Sequence, residues 1–86
     1  MKKSMTILQF KVLIERDEDD FYVASVPELP GCYTQAKTLE ILRVRIKEVI
    51  ELVLESDKKA RNDKLKSPAS VPSFFATEDI HIPYYA

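Results

Sequence analysis

The sequence holds one glycine, one cysteine, one histidine and no tryptophan in 86 residues. Each scarcity removes a class of explanation. A single cysteine makes no internal disulfide, which excludes a disulfide-stapled secreted scaffold and fits a reducing compartment. A single glycine excludes glycine-rich phosphate loops and dinucleotide fingerprints, which need several close backbone approaches. One histidine beside one cysteine leaves no zinc-ligand spacing. No apolar run approaches the ~20 residues of a membrane span. Met1-Lys2-Lys3-Ser4 begins like the charged end of a signal peptide, but the run that follows is broken by Gln9 and Lys11. A cytoplasmic chain without a membrane segment is therefore expected. Charge of one sign is lacking too: 13 basic residues against 14 acidic ones give a net charge of −1, which weakens any reading of the whole chain as a nucleic-acid binder.

What remains is a short globular sequence, 45% hydrophobic, read as a single domain over 1–86. A core of this size contributes little beyond the chain entropy it must offset, so a homo-oligomer is expected. Met5 to Arg16 alternates, with Leu8, Phe10, Val12 and Ile14 on one face and Ile7 and Leu13 as exceptions on the other. That period of two predicts a half-buried strand. Asp17-Glu18-Asp19-Asp20 interrupts it and Phe21 to Val26 resumes it, which predicts an antiparallel hairpin. Its turn lacks glycine, but aspartate tolerates the left-handed region better than most residues.

Val26 to Leu39 contains the only glycine, the only cysteine and two of the five prolines. Pro27 and Pro30 fix φ and push their predecessors toward extended geometry, and Gly31 supplies a position where φ can be positive. The segment predicts a rigid corner, with a short strand over Cys32 to Ala36 beyond it and Thr38 as a helix N-cap. From Thr38 to about Ser56, Leu39, Leu42, Ile46, Val49, Ile50 and Val53 recur at helical spacing. A second group, Ile41, Val44 and Leu52, falls on the opposite side, on a face more apolar than solvent requires. These three form a candidate protein contact, against the blander reading of scattered surface apolars. Asp57 to Lys66 reads as a solvated, charged helix end, Ser67 to Pro72 as a linker, and Glu78 to Ile82 as a last strand stopped by Pro83. The fold class is α+β: a small antiparallel sheet of three to four strands with one packed helix, β-β-β-α-β.

The chemistry-bearing residues are few. The acidic turn lacks the glycine and the spaced glutamate of a calcium loop, and consecutive turn carboxylates are normally solvated. His81 has neither an orienting partner nor a nucleophile near it in sequence. Cys32 follows a tight corner, where a lone cysteine is usually a small buried hydrophobe. The basic run from Lys58 to Lys66 has no aromatic residues on which bases stack. No catalytic, cofactor-binding or metal-binding residue is assigned, and the chain reads as a non-enzyme.

The hairpin and corner from Phe10 to Glu40, above all Val-Pro-Glu-Leu-Pro-Gly-Cys-Tyr-Thr-Gln at positions 26–35, followed by the amphipathic helix, resemble the HicB-like antitoxin family. The match covers residues 5 to 56 best, and its structural signature is Pro27, Leu29, Pro30, Gly31, Cys32 and Thr38. The resemblance implies a partial ribonuclease H-like fold without a nuclease site. It also implies a partner: a small HicA-type mRNA-cleaving toxin with a double-stranded-RNA-binding-domain-like fold, neutralised by direct binding. Full-length members carry a C-terminal DNA-binding module, for which 71–86 is too short, so direct DNA binding is not expected. The family commonly has glycine where Asp20 stands, and glutamate at position 41, where it completes a capping box with an N-cap threonine. Ile41 instead adds an apolar side chain to the outer stripe. The alternative is a stand-alone oligomeric structural or regulatory module without a toxin. A nuclease ranks last, because fold does not carry function and the carboxylates lie in a turn.

Overall fold

The computed structural model describes residues 5–69, 76 and 78–85. Three strands, β1 (Leu13–Arg16), β2 (Tyr22–Ser25) and β3 (Tyr33–Ala36), form an antiparallel sheet in the order β1-β2-β3, and two helices follow, α1 (Leu39–Ser56) and α2 (Lys58–Lys66). The α+β class with a three-stranded sheet is as the sequence predicts.

The hairpin turn solves its missing glycine with aspartates. The Asp17 carboxylate accepts from the backbone N–H groups of Asp19 (2.9 Å) and Phe21 (3.0 Å), and Asp20 N–H donates to the Asp17 carbonyl. Asp20 then takes φ +64°. A tight turn followed by a left-handed residue is a common hairpin solution.

Register sets the faces. Ile14 lies opposite Ala24, Tyr22 opposite Ala36 and Ala24 opposite Thr34, so Ile14, Tyr22, Ala24, Thr34 and Ala36 share the inner face. Ala24 and Ala36 are fully buried there, and Leu42 and Ile46 of α1 join them in the core with Val26, Leu29 and Cys32. The predicted alternation places Phe10 and Val12 correctly, since both pack on this core, but β1 is not half-buried: Ile14, on the inner face, is 46% exposed against 41% for Leu13, because α1 does not reach β1. The strand itself is shorter than the predicted Met5–Arg16. Leu13 pairs with Ser25, and just beyond it β2 ends at Val26-Pro27, where proline has no N–H to donate and the chain turns away. Residues 5–12 therefore lie beyond the β1–β2 ladder, and Gln9 N–H donates instead to the Pro68 carbonyl at 2.8 Å.

The corner is two consecutive turns, each with proline in its second position. Leu29 N–H donates to the Val26 carbonyl and Cys32 N–H to the Leu29 carbonyl, both at 3.0 Å, and Val26 N–H closes the pair on the Cys32 carbonyl. In the second turn Pro30 is followed by Gly31 at φ +82°, the Pro-Gly arrangement of a type II turn. Thr38 caps α1 as predicted, its Oγ1 accepting from Ile41 N–H at 3.2 Å.

Beyond Ser56 the structure departs from the sequence reading. Asp57 does not continue α1. Its backbone N–H bonds to the Val53 carbonyl and ends that helix, while its carboxylate accepts from Ala60 N–H at 3.0 Å and starts α2. The charged segment 58–66 is thus a helix of its own, packed against α1. Ser67 to Ala69 follow it without regular structure, and 70–72 of the expected linker lie outside the described residues. The predicted last strand over 78–82 does not join the sheet: residues 78–85 have no regular structure, and Ile80, Ile82, Tyr84 and Tyr85 are exposed.

Replacing Asp20 with glycine relieves a left-handed L-residue at the loss of only an exposed Arg16 ion pair. Asp20→Gly is expected to stabilise the fold by about 0.5 kcal/mol, seen as a higher urea midpoint at unchanged slope.

Candidate functional site

Two surfaces carry features beyond packing: the corner with α2, and the outer face of α1. At the corner, Pro27, Pro30 and Gly31 are exposed while Leu29 and Cys32 point into the core. Burial raises the Cys32 thiol above its ordinary range, the opposite of the activation a nucleophile needs. His81 belongs to the exposed segment 78–85 and is absent from the cluster around Cys32, so the two are not brought together as nucleophile and base. In the acidic turn, Asp17 serves the backbone and Asp20 pairs with Arg16 at 3.0 Å.

Lys64 is a residue that the sequence reading missed. It was placed on a solvated helix end, yet it is the one buried charged side chain among the described residues, 7% exposed. Its Nζ donates to Glu28 Oε2 at 2.7 Å and lies 4.5 Å from the centre of the Phe10 ring. An ammonium removed from water needs such partners. The pair joins α2 to the corner, 36 residues apart in the chain. The available signal was the spacing of Ala60 and Lys64, four apart and so on one side of a helix.

The outer face of α1 holds the three predicted contact residues, all in the open: Ile41 is 46% exposed, Val44 59% and Leu52 63%. Ile41 and Val44 border one shallow depression with Glu40, Arg45 and Glu48. Leu52 lies further along the same side, with Glu51 and Glu55 also exposed. Arg45 is turned toward the sheet, its guanidinium donating to the Gln35 carbonyl at 2.7 Å. The face is therefore apolar side chains interleaved with carboxylates. It offers no grouping for proton transfer and none for a metal: among the described residues no three His, Cys, Asp or Glu side chains converge. Chemically, it can bind a surface. No helix of the described residues is long and apolar enough to cross a membrane.

A three-stranded sheet with α1 across it, a rigid proline-glycine corner and an exposed apolar-acidic helix face define a small α+β domain. The family model described as the HicB-like antitoxin of bacterial toxin–antitoxin systems matches residues 10–81, and the chain belongs to that family. Among curated proteins it is similar to a UPF0150 protein of Archaeoglobus fulgidus, 57% identical over 51 residues that cover 59% of this chain and 74% of the relative. It is also similar to a UPF0150 protein of Thermoplasma acidophilum, 47% identical over 58 residues, covering 67% and 83%. A UPF0150 protein of Synechocystis is 55% identical over 47 residues, covering 55% and 68%. No solved structure matches significantly.

Two outcomes test this description. Lys64→Met is expected to leave stability within about 1 kcal/mol of the parent, whereas Glu28→Ala, which strands a buried ammonium, is expected to cost ~1–2 kcal/mol in urea unfolding. Cys32 is expected to react with iodoacetamide at least about tenfold more slowly in the native chain than in urea.

Proposed function

We propose that this chain neutralises a HicA-type, mRNA-cleaving toxin by direct protein contact, as a homo-oligomer, and that α1 supplies the contact through Ile41, Val44 and Leu52. The family membership supports an antitoxin role, and the observation that carries the contact assignment is the composition of that exposed face. A ribonuclease must present basic side chains to the phosphates it holds. A helix face with Glu40, Glu48, Glu51 and Glu55 around three exposed apolar side chains is complementary to such a surface. The acidic groups steer the encounter and reject other acidic surfaces, and the apolar groups supply the desolvated centre that an interface needs. The action is binding rather than catalysis. The small core, seven buried apolar side chains among the described residues, supports the expectation that more than one copy assembles.

The test is co-expression of the full chain with such a toxin, followed by co-purification and an RNA cleavage assay. The parent chain is expected to co-purify and to suppress cleavage. Ile41→Lys with Val44→Lys, both at exposed positions, is expected to leave the fold intact by circular dichroism and to weaken suppression at least tenfold, about 1.4 kcal/mol of binding. Suppression at full strength by the double variant would place the contact elsewhere. Failure of the parent chain to bind any such toxin would favour the stand-alone module.

A further inference from the structure

The helix α1 lies over β3 and β2 and does not reach β1. The inner face of the sheet is therefore covered on one side only. Between the β1 flank and α1 an open apolar groove remains, with Phe10, Val12 and Ile14 on one wall and Ile46, Ile50 and Leu54 on the other. Val12 and Ile46 border both of its halves, so it is continuous. The rim on the helix side carries Arg43 and Lys47, with Glu51 at one end. The outer edge of β1 has no paired strand among the described residues, because β1 is the terminal strand of the order β1-β2-β3. A bare strand edge beside an exposed apolar strip is a template for another strand.

The same chain carries a segment of matching chemistry. Ile80, Ile82 and Tyr84 alternate, so an extended backbone puts all three on one face. They are 73%, 74% and 87% exposed, with nothing to cover them. Glu78 and Asp79 precede them, opposite in sign to Arg43 and Lys47. Pro83 limits the pairing run to about the length of β1. The segment does not lie in its own chain's groove. None of residues 78–85 borders it.

We propose that residues 78–84 of one copy dock in the Phe10–Ile14/Ile46–Leu54 groove of a second copy and add a strand to its β1 edge, so that two chains complete each other's cores. Exchange of an identical element between copies is a low-cost route to a dimer, and it buries in one step the groove and the segment that each chain leaves exposed. Two grooves and two segments are satisfied by a closed pair. This inference concerns the chain alone and needs no toxin, so it stands or falls separately from the antitoxin reading.

The test mixes two full-length single variants, Ile14→Cys and Ile82→Cys, refolds them together from urea and treats them with a short bismaleimide. Both positions are exposed in the structure, and the native Cys32 is buried and serves as the unreactive control in the parent chain. The expected result is a covalent species of twice the 9.9 kDa chain mass that forms only when both variants are present and is lost when Ile80→Asp is added to the Ile82→Cys chain. Should Ile14→Cys fail to fold by circular dichroism, Leu54→Cys takes its place on the opposite wall. No link in the mixture overturns the proposal. An internal link in the Ile14→Cys/Ile82→Cys double variant, without a link in the mixture, overturns it in favour of the segment folding onto its own chain.

Discussion

The contact between two alanines and one helix turn governs this fold. Ala24 and Ala36 present almost no side chain on the inner sheet face, so α1 approaches the strands closely enough for Leu42 to be fully enclosed and Ile46 nearly so. Burying a leucine contributes about 1.5–3 kcal/mol, a large share of the margin a domain of this size possesses. A bulky residue at either alanine would lift the helix and open the same contact, since interiors tolerate overpacking poorly. The alanines also fix where the helix lies. It follows β3 and β2, where they are, and leaves β1 outside its footprint.

The corner makes that placement reproducible. Two proline-initiated turns and a left-handed Gly31 allow few backbone routes from β2 to β3, and Val26, Leu29 and Cys32 fasten the corner to the core from inside. Six residues after Cys32, Thr38 caps α1, so helix direction follows from the corner with little freedom left. The Glu28–Lys64 pair then brings α2 back to the same corner. Removing a charge from water is costly and gives weak net stability, but it is directional. Its value here is to select one packing of α2, whose side chains are otherwise mostly charged.

The parts legible in sequence are those governed by local geometry. The cap at Thr38, the proline-glycine turns, the two faces of α1 and the aspartate turn each follow from residues within a few positions of one another, and the structure places them where the patterns put them. The alternation of Phe10, Val12 and Ile14 likewise gave the correct face. Less legible was whatever a distant partner decides. The strand pattern begins at Met5, but the ladder starts only at Leu13, because β2 has run out at Pro27. Lys64 reads as solvated until Glu28 and Phe10, far away in the chain, are placed beside it. Asp57 reads as one polar residue in a charged stretch, although it ends one helix and starts the next. The outer stripe of Ile41, Val44 and Leu52 was visible as a stripe, and the structure adds its setting: carboxylates around it, with Arg45 drawn off to the sheet.

The off-centre helix has a further consequence for how binding surfaces arise in so small a protein. With one helix over three strands, a centred helix would cover the whole inner face, and only the outer side of α1 would be available to partners. Shifting it toward β3 exposes a second surface without adding a residue, and leaves the first unchanged. The two lie on different sides of α1: Ile46, Ile50 and Leu54 belong to the groove, Ile41, Val44 and Leu52 to the outer face. Ile41 and Val44 border no part of the groove, so substitution there need not disturb it, whereas Glu51 flanks both surfaces and couples them.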